Sequence, residues 1–153
     1  EQKHGSIPAP VPCSYVWGDA LEVQDRVAPD LRIINLETSI TESDEYWKNK
    51  GIHYRMNPAN LGCLQSAKID VCALANNHVL DWGYPGLRET LETLDDAEIR
   101  GVGAGTRLAE AASPAVLNLA EKGRVLVFFP MVWRAAEFLR VGRPRRANQE
   151  SIF

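Results

Sequence analysis

The run "ALANNHVLDWGYPG", residues 73–86, sets Asn76, Asn77, His78 and Asp81 just past a hydrophobic stretch, in a chain with only three histidines. Amide oxygens, an imidazole and a carboxylate at this spacing suit two kinds of work. They bind a hard or borderline divalent cation, or they move a proton near neutral pH, where imidazole titrates. A second hydrophobic run ends the same way, since "IINLETS" brings Asn35 and Glu37. Ligands of open α/β sheets sit beyond the carboxyl ends of the strands. Two neighbouring strands would therefore gather all these groups in one small volume. Glu37 then supplies negative charge, Asn77 a neutral oxygen, and His78 either a nitrogen ligand or a proton for a leaving alkoxide. A plainer reading stands beside it: Asn at a strand-to-loop junction builds its own turn, and Asp81 caps the segment that follows.

The elements that must position these residues follow from hydrophobic periodicity. After a proline-rich lead-in over 1–12, Trp17, Leu21 and Ala28 fall on one helical face, which Pro29 ends. "LRIINL" reads as a buried strand, "ETSITESDEYWKNKG" as a polar loop and "IHYRM" as a short strand or extended segment. Pro58 opens a helix with Leu61, Leu64 and Ala67 inward. "IDVCALA" is a second buried strand. Leu87, Leu91 and Leu94 mark an amphipathic helix over "YPGLRETLETLDDAE", and "IRGVGAG" is a third strand. "TRLAEAA" forms a helical turn or two with Thr106 as cap. "PAVLNLAEKGRVLVFF" is a hairpin around Lys122-Gly123. Strands alternating with helices predict βαβ units and a mostly parallel sheet.

Composition bounds the function. The 153 residues suffice for one domain with a core, and a net charge of −3 gives no general affinity for nucleic acid. The segment from Trp133 to Phe153 is the exception, with five Arg against two acids. It lacks interleaved aromatics or a binding motif, so no nucleic-acid partner is expected. Cys13, Cys63 and Cys72 match neither a zinc knuckle nor a disulfide framework, and Cys72 reads as a buried small hydrophobe. No apolar stretch approaches a membrane span. "GVGAGT" is neither a dinucleotide fingerprint nor a phosphate loop, and reads as a turn or tight strand–helix packing. Tyr46, Trp47 and Tyr54 either line a cleft or pack in a loop.

In order and spacing, "INLETS", "ANNHVLDWGYPGLRETLETL" and "GVGAGTRLAEAASPAV" resemble the CapA family of bacterial capsule-synthesis proteins, also called poly-gamma-glutamate biosynthesis proteins. That family looks like a branch of the calcineurin-like metallophosphoesterases. The resemblance implies an α/β layered sandwich of the metallophosphoesterase type, here partial: an N-terminal βαβ portion plus a β-hairpin. It places Glu37 and Asn77 as metal ligands, His78 and Asp81 as the catalytic pair, and Asn35 and Asn76 against substrate. It implies a divalent metal of the Mn2+, Fe2+ or Zn2+ type, dinuclear in the complete family domain, acting on a phosphoester or polyanionic substrate. Capsule-synthesis machinery is the implied partner.

The chain also departs from that pattern. The strand ending in Gly-Asp that opens the family domain is not recognisable; Gly18-Asp19 falls at a helix start, where Asp19 serves the helix. The imidazole ligands expected further on are missing, leaving His4 and His53 as the other histidines. Residues 1–130 are accordingly read as a partial family domain, truncated at both ends, and 131–153 as a non-homologous basic tail. Such a chain is expected to be weakly active or inactive as a phosphoesterase. The alternative is a non-catalytic polymer-binding or assembly component of capsule export. No signal or anchor is recognisable, whereas relatives are often membrane-anchored with an outward-facing domain.

Overall fold

The computed structural model describes residues 9–129, so the expected basic tail lies outside the described residues. A 3-10 turn over Cys13–Trp17 leads into helix α1, Ala20–Val27. Asp19 occupies the N-cap position of α1 but makes no side-chain capping bond, and Ala28, in the left-handed region, closes the helix just before Pro29. Strands β1 (Ile33–Asn35), β4 (Val71–Ala73) and β5 (Arg100–Val102) form a parallel sheet in the order β1-β4-β5. A short parallel pair, β2 (Ser39–Ile40) with β3 (Arg55–Met56), lies within the first crossover. Helix α2 (Gly62–Ser66) leads into β4, and α3 (Gly83–Asp96) joins β4 to β5. After the short α4 (Leu108–Ala111), β6 (Ala115–Leu119) and β7 (Gly123–Val127) make an antiparallel hairpin.

Alternation along β4 builds two cores. Cys72 and Leu74 face a cluster containing Leu36, Ile40, Leu64, Leu87 and Leu94, the layer supplied by the helices and β2. Val71 and Ala73 face the other way, onto Val102 and Val127, with Leu117 and Val125 of the hairpin packed against them. A strand buried on both faces reads as a continuous apolar run, and that is why "IDVCALA" was recognisable. The run "LRIINL" differs. β1 pairs with β4 on one side only, and Ile33 is 42% exposed, so the expected buried strand is a half-exposed one at the edge of the described sheet.

Two further expectations are corrected. The segment read as a polar loop contains β2, whose Ser39 and Ile40, with Thr41 beside them, are buried. Their polar groups find partners on α3 and in the turn after β4: the Thr90 hydroxyl accepts the Ile40 amide at 2.9 Å and donates to the Gly86 carbonyl at 2.7 Å, Thr41 donates to Glu89, and Ser39 donates to the His78 carbonyl at 3.3 Å. The N-cap of α4 is Arg107; Thr106 instead donates its amide and hydroxyl to the Glu110 carboxylate, at 2.8 and 2.7 Å. The glycine-rich end of β5 is tight packing. Gly103 sits at φ +85°, and a Cβ there would lie 2.6 Å from the Ala75 Cβ and 2.8 Å from the Phe129 carbonyl oxygen.

Thr90→Val keeps the shape but leaves the buried Ile40 amide without an acceptor. We expect it to lower unfolding free energy by about 1–3 kcal/mol in urea denaturation, more than Thr90→Ser, which retains the hydroxyl. Equal effects from the two variants would refute the hydrogen-bond account.

Candidate functional site

The ends of β1 and β4 are adjacent, with Asn35 opposite Ala73 in the register. The chain leaves β4 through Leu74, whose amide donates to the Val102 carbonyl at 2.8 Å, and turns at once, the Asn76 amide donating back to Leu74 at 2.8 Å. This turn aims the Asn76 side chain across to β1. Its Nδ2 group donates to Asn35 Oδ1 at 3.1 Å and to the Leu36 carbonyl at 2.9 Å, while its Oδ1 accepts the His78 amide at 3.0 Å. Asn76 is thus taken up by the chain's own groups and ties the two strand ends together. Asn35 is exposed beside it.

His78 is 8% exposed and Asp81 is wholly buried. The imidazole Nδ1 lies 2.7 Å from Asp81 Oδ2. That oxygen also accepts the Tyr54 amide at 2.6 Å, and the other carboxylate oxygen accepts from the Lys50 ammonium. Lys50 donates as well to the Asn77 carbonyl. The phenol ring of Tyr54 stacks on the imidazole, with centroids 4.2 Å apart and planes inclined by 24°. Burial by itself would raise the Asp81 carboxyl, but the Lys50 ammonium, the Tyr54 amide and His78 outweigh it and hold the group below its ordinary value.

An ionised carboxylate at Nδ1 fixes the proton on that nitrogen. Nε2, on the far side of the ring, has no hydrogen-bond partner among the described residues, and no buried side-chain polar atom among them is left orphaned. The arrangement therefore presents Nε2 as a proton acceptor, or as a donor when the ring is charged, from a ring whose position is set on one edge by Asp81 and on one face by Tyr54.

Glu37 and Asn77 occupy exposed positions directly after Leu36 and Asn76, the residues joined by the tie between strands. Among the described residues no group of three His, Cys, Asp or Glu side chains could hold a metal ion. One carboxylate, one amide oxygen and one imidazole do not fit a dinuclear centre. His53 does not add to the set, since its Nε2 is engaged with the Trp47 carbonyl at 2.7 Å.

Sequence reasoning passed over Lys50 altogether, and Tyr54 was one of three aromatics with no assigned place. Nothing in a lysine of a polar loop announces a partner 31 positions away. The surrounding aromatics form an edge-to-face set: Tyr46 against His53 at 5.4 Å and Trp47 against Tyr84 at 6.0 Å, with the Arg55 guanidinium 4.2 Å above Trp82.

Comparison with known proteins places these features in context. The family described as "Bacterial capsule synthesis protein PGA_cap" matches residues 2–150. A probable polyglutamine synthesis accessory protein of Mycobacterium tuberculosis is 44% identical over 127 residues, covering 83% of this chain and 33% of the relative. The PGA biosynthesis protein CapA of Bacillus subtilis is 32% identical over 78 residues, covering 50% of this chain and 20% of that protein. The capsule biosynthesis protein CapA of Bacillus anthracis is 28% identical over 71 residues, covering 46% of this chain and 17% of that protein. The chain spans about a third of the length of the mycobacterial relative.

Asp81→Asn leaves the Lys50 ammonium without its counter-charge. Removing one member of a buried pair costs about 3–5 kcal/mol, and we expect the low end because the Lys50 side chain retains 22% exposure. The sign with pH follows from the depressed carboxyl. Its stabilisation is fully present above the unfolded value of about 3.9. It is lost as pH falls through the still lower folded value. Urea denaturation should therefore show a wild-type advantage over Asp81→Asn at pH 7 that shrinks once the pH drops below 4. A constant advantage down to pH 2 would contradict it.

Proposed function

The chain belongs to the bacterial capsule synthesis protein family, and on that basis we propose that its β1–β4 edge carries the proton-handling part of a phosphoester-hydrolysing site used in capsule or poly-glutamate production. The observation that supports this reading is the His78–Asp81 pair, 2.7 Å apart and buried, with Nε2 left free among the described residues. A buried Asp–His pair oriented this way holds a proton at Nε2 and delivers it to a departing alkoxide. Asp81 keeps the ring in the required tautomer, and Lys50 keeps Asp81 ionised. Asn76 positions the loop, and Asn35, exposed beside it, is proposed to contact substrate. Positioned acid catalysis of this kind contributes about 10²–10⁴-fold to rate.

Glu37 and Asn77 are proposed as contributions to a divalent cation site whose remaining ligands are not among the described residues. The described donor set does not fit a dinuclear centre, and the 153-residue chain by itself is expected to turn over little substrate. The mycobacterial relative is called a synthesis accessory protein, which supports a role beside a polymer-building assembly. Among the described residues no helix is long and apolar enough to cross a membrane.

The test uses the longest gene product that contains these residues, with a chromogenic phosphodiester and added Mn2+. We expect His78→Gln to lower kcat by about 10²-fold or more with a smaller change in KM. Asn77→Ala should weaken Mn2+ binding measured by calorimetry. Turnover unaffected by His78→Gln defeats the proposal. Saturable binding of poly-glutamate without turnover, indifferent to both substitutions and to metal, supports the non-catalytic alternative instead.

A further inference from the structure

Away from the β1–β4 edge, two cysteines stand on neighbouring, packed elements. Cys13 opens the 3-10 turn before α1 and is exposed; Cys63 lies on α2 and is half-buried. A Cβ on Gly62 would stand 2.8 Å from the Cys13 sulfur and 3.7 Å from its Cβ, so the absence of a side chain at 62 is what admits that thiol to the surface of α2. The Cys13 sulfur thus lies against α2 at the position preceding Cys63, and burial, followed by the neighbouring Cys13 group, pushes the Cys63 thiol up. Backbone contacts hold the pair together. The Trp17 indole donates to the Cys63 carbonyl at 2.7 Å, and the Ser66 hydroxyl reaches the carbonyls of Cys63 and Cys13 at 2.9 and 3.4 Å.

This contact falls where packing is thin. Helix α1 has no buried residue, and only Trp17 and Leu21 from this region pack against the core. Its other attachments are polar: Arg32 with Gln24 at 3.2 Å, and the ion pairs of the exposed Asp25 with Lys68 at 3.0 Å and Arg32 at 3.9 Å, of the kind worth little in water.

We propose that Cys13 and Cys63 are a paired oxidation site whose disulfide staples the segment carrying α1 to α2. The oxidant is a low-molecular-weight disulfide. The exposed Cys13, as thiolate, attacks one sulfur of that molecule; its S–S bond breaks, a mixed disulfide forms on Cys13 and the first thiolate leaves and takes up the proton that Cys13 gave to water. Cys63 then loses its proton, attacks the Cys13 sulfur and expels the second thiolate, which is protonated. Two protein thiols are oxidised by two electrons, and one small disulfide is reduced to two thiols. Cys72 takes no part. It is fully buried in β4, and burial pushes its thiol up to about 12.

Equilibration of the 153-residue chain with oxidised glutathione, followed by alkylation and peptide mass mapping, tests the site. A Cys13–Cys63 peptide with a loss of about 2 Da, and Cys72 alkylated only after unfolding, is the expected result. Cys63→Ser should stop at a glutathione adduct on Cys13, and Cys13→Ser should form no cross-link. The oxidised wild type should melt roughly 5–10 °C above the reduced form, since the bond closes a long loop, and this oxidation-dependent rise should vanish in Cys13→Ser. A stable adduct on Cys13 of the wild type without ring closure overturns the proposal, as does a bridge to Cys72, an intermolecular bridge alone, or a melting point indifferent to reduction.

Discussion

A carboxylate removed from water costs several kcal/mol unless donors take up its lone pairs, and Asp81 collects those donors from separate parts of the chain. The Lys50 ammonium and Tyr54 amide come from the segment between β2 and β3; the His78 ring comes from the turn after β4. The anion therefore does more than orient an imidazole. It joins two crossover segments that have no strand pairing with each other, and it brings the Tyr54 ring onto the face of His78. Remove the charge, and the ring loses both its edge and its face restraint.

That junction rests on a sheet whose central strand is committed on both sides. β4 gives Cys72 and Leu74 to the helical layer and Val71 and Ala73 to the hairpin layer, so neither layer can shift without disturbing the other. The period-2 alternation of a strand is here the device that joins α3, with its Leu87 and Leu94, to a β-hairpin that packs in the other cluster. At the same carboxyl end of the sheet, the close approach of Gly103 to Ala75 and Phe129 seats the chain leaving β5 against the loop leaving β4.

How much of this could be read from sequence depended on whether a signal was periodic or pairwise. The buried run of β4, the leucine spacing of α3 and the hairpin around residues 120–123 are periodic, and they were legible. So was the convergence of two polar strand ends, because βαβ connectivity makes their neighbourhood probable. β2 was not, since Ser39 and Thr41 are hydrophilic by type and become buried only because the His78 carbonyl and Glu89 of α3 accept their hydroxyls. The exposure of Ile33 was not, since β-branched composition does not say which strand lies at an edge. Within the site, Asn76 carried no mark separating a tie between strands from a substrate contact. Lys50 and Tyr54 were hidden for the same reason: a pair distant along the chain leaves no trace in the spacing of either member.

The Asn76 tie has a bearing on which length changes this fold accepts. It reads the offset between two strands in one amide: Asn35 and Leu36 on one side, His78 on the other. Inserting or deleting a residue between 35 and 37, or between 73 and 78, would rotate the next side chain to the opposite surface and uncouple the loops. The stretch 42–45, by contrast, meets the rest of the chain chiefly through exposed polar contacts, Glu42 with Glu89 and Asp44 with Arg55. Homologous chains that differ in size should carry their gaps there, while these two strand exits keep a constant count.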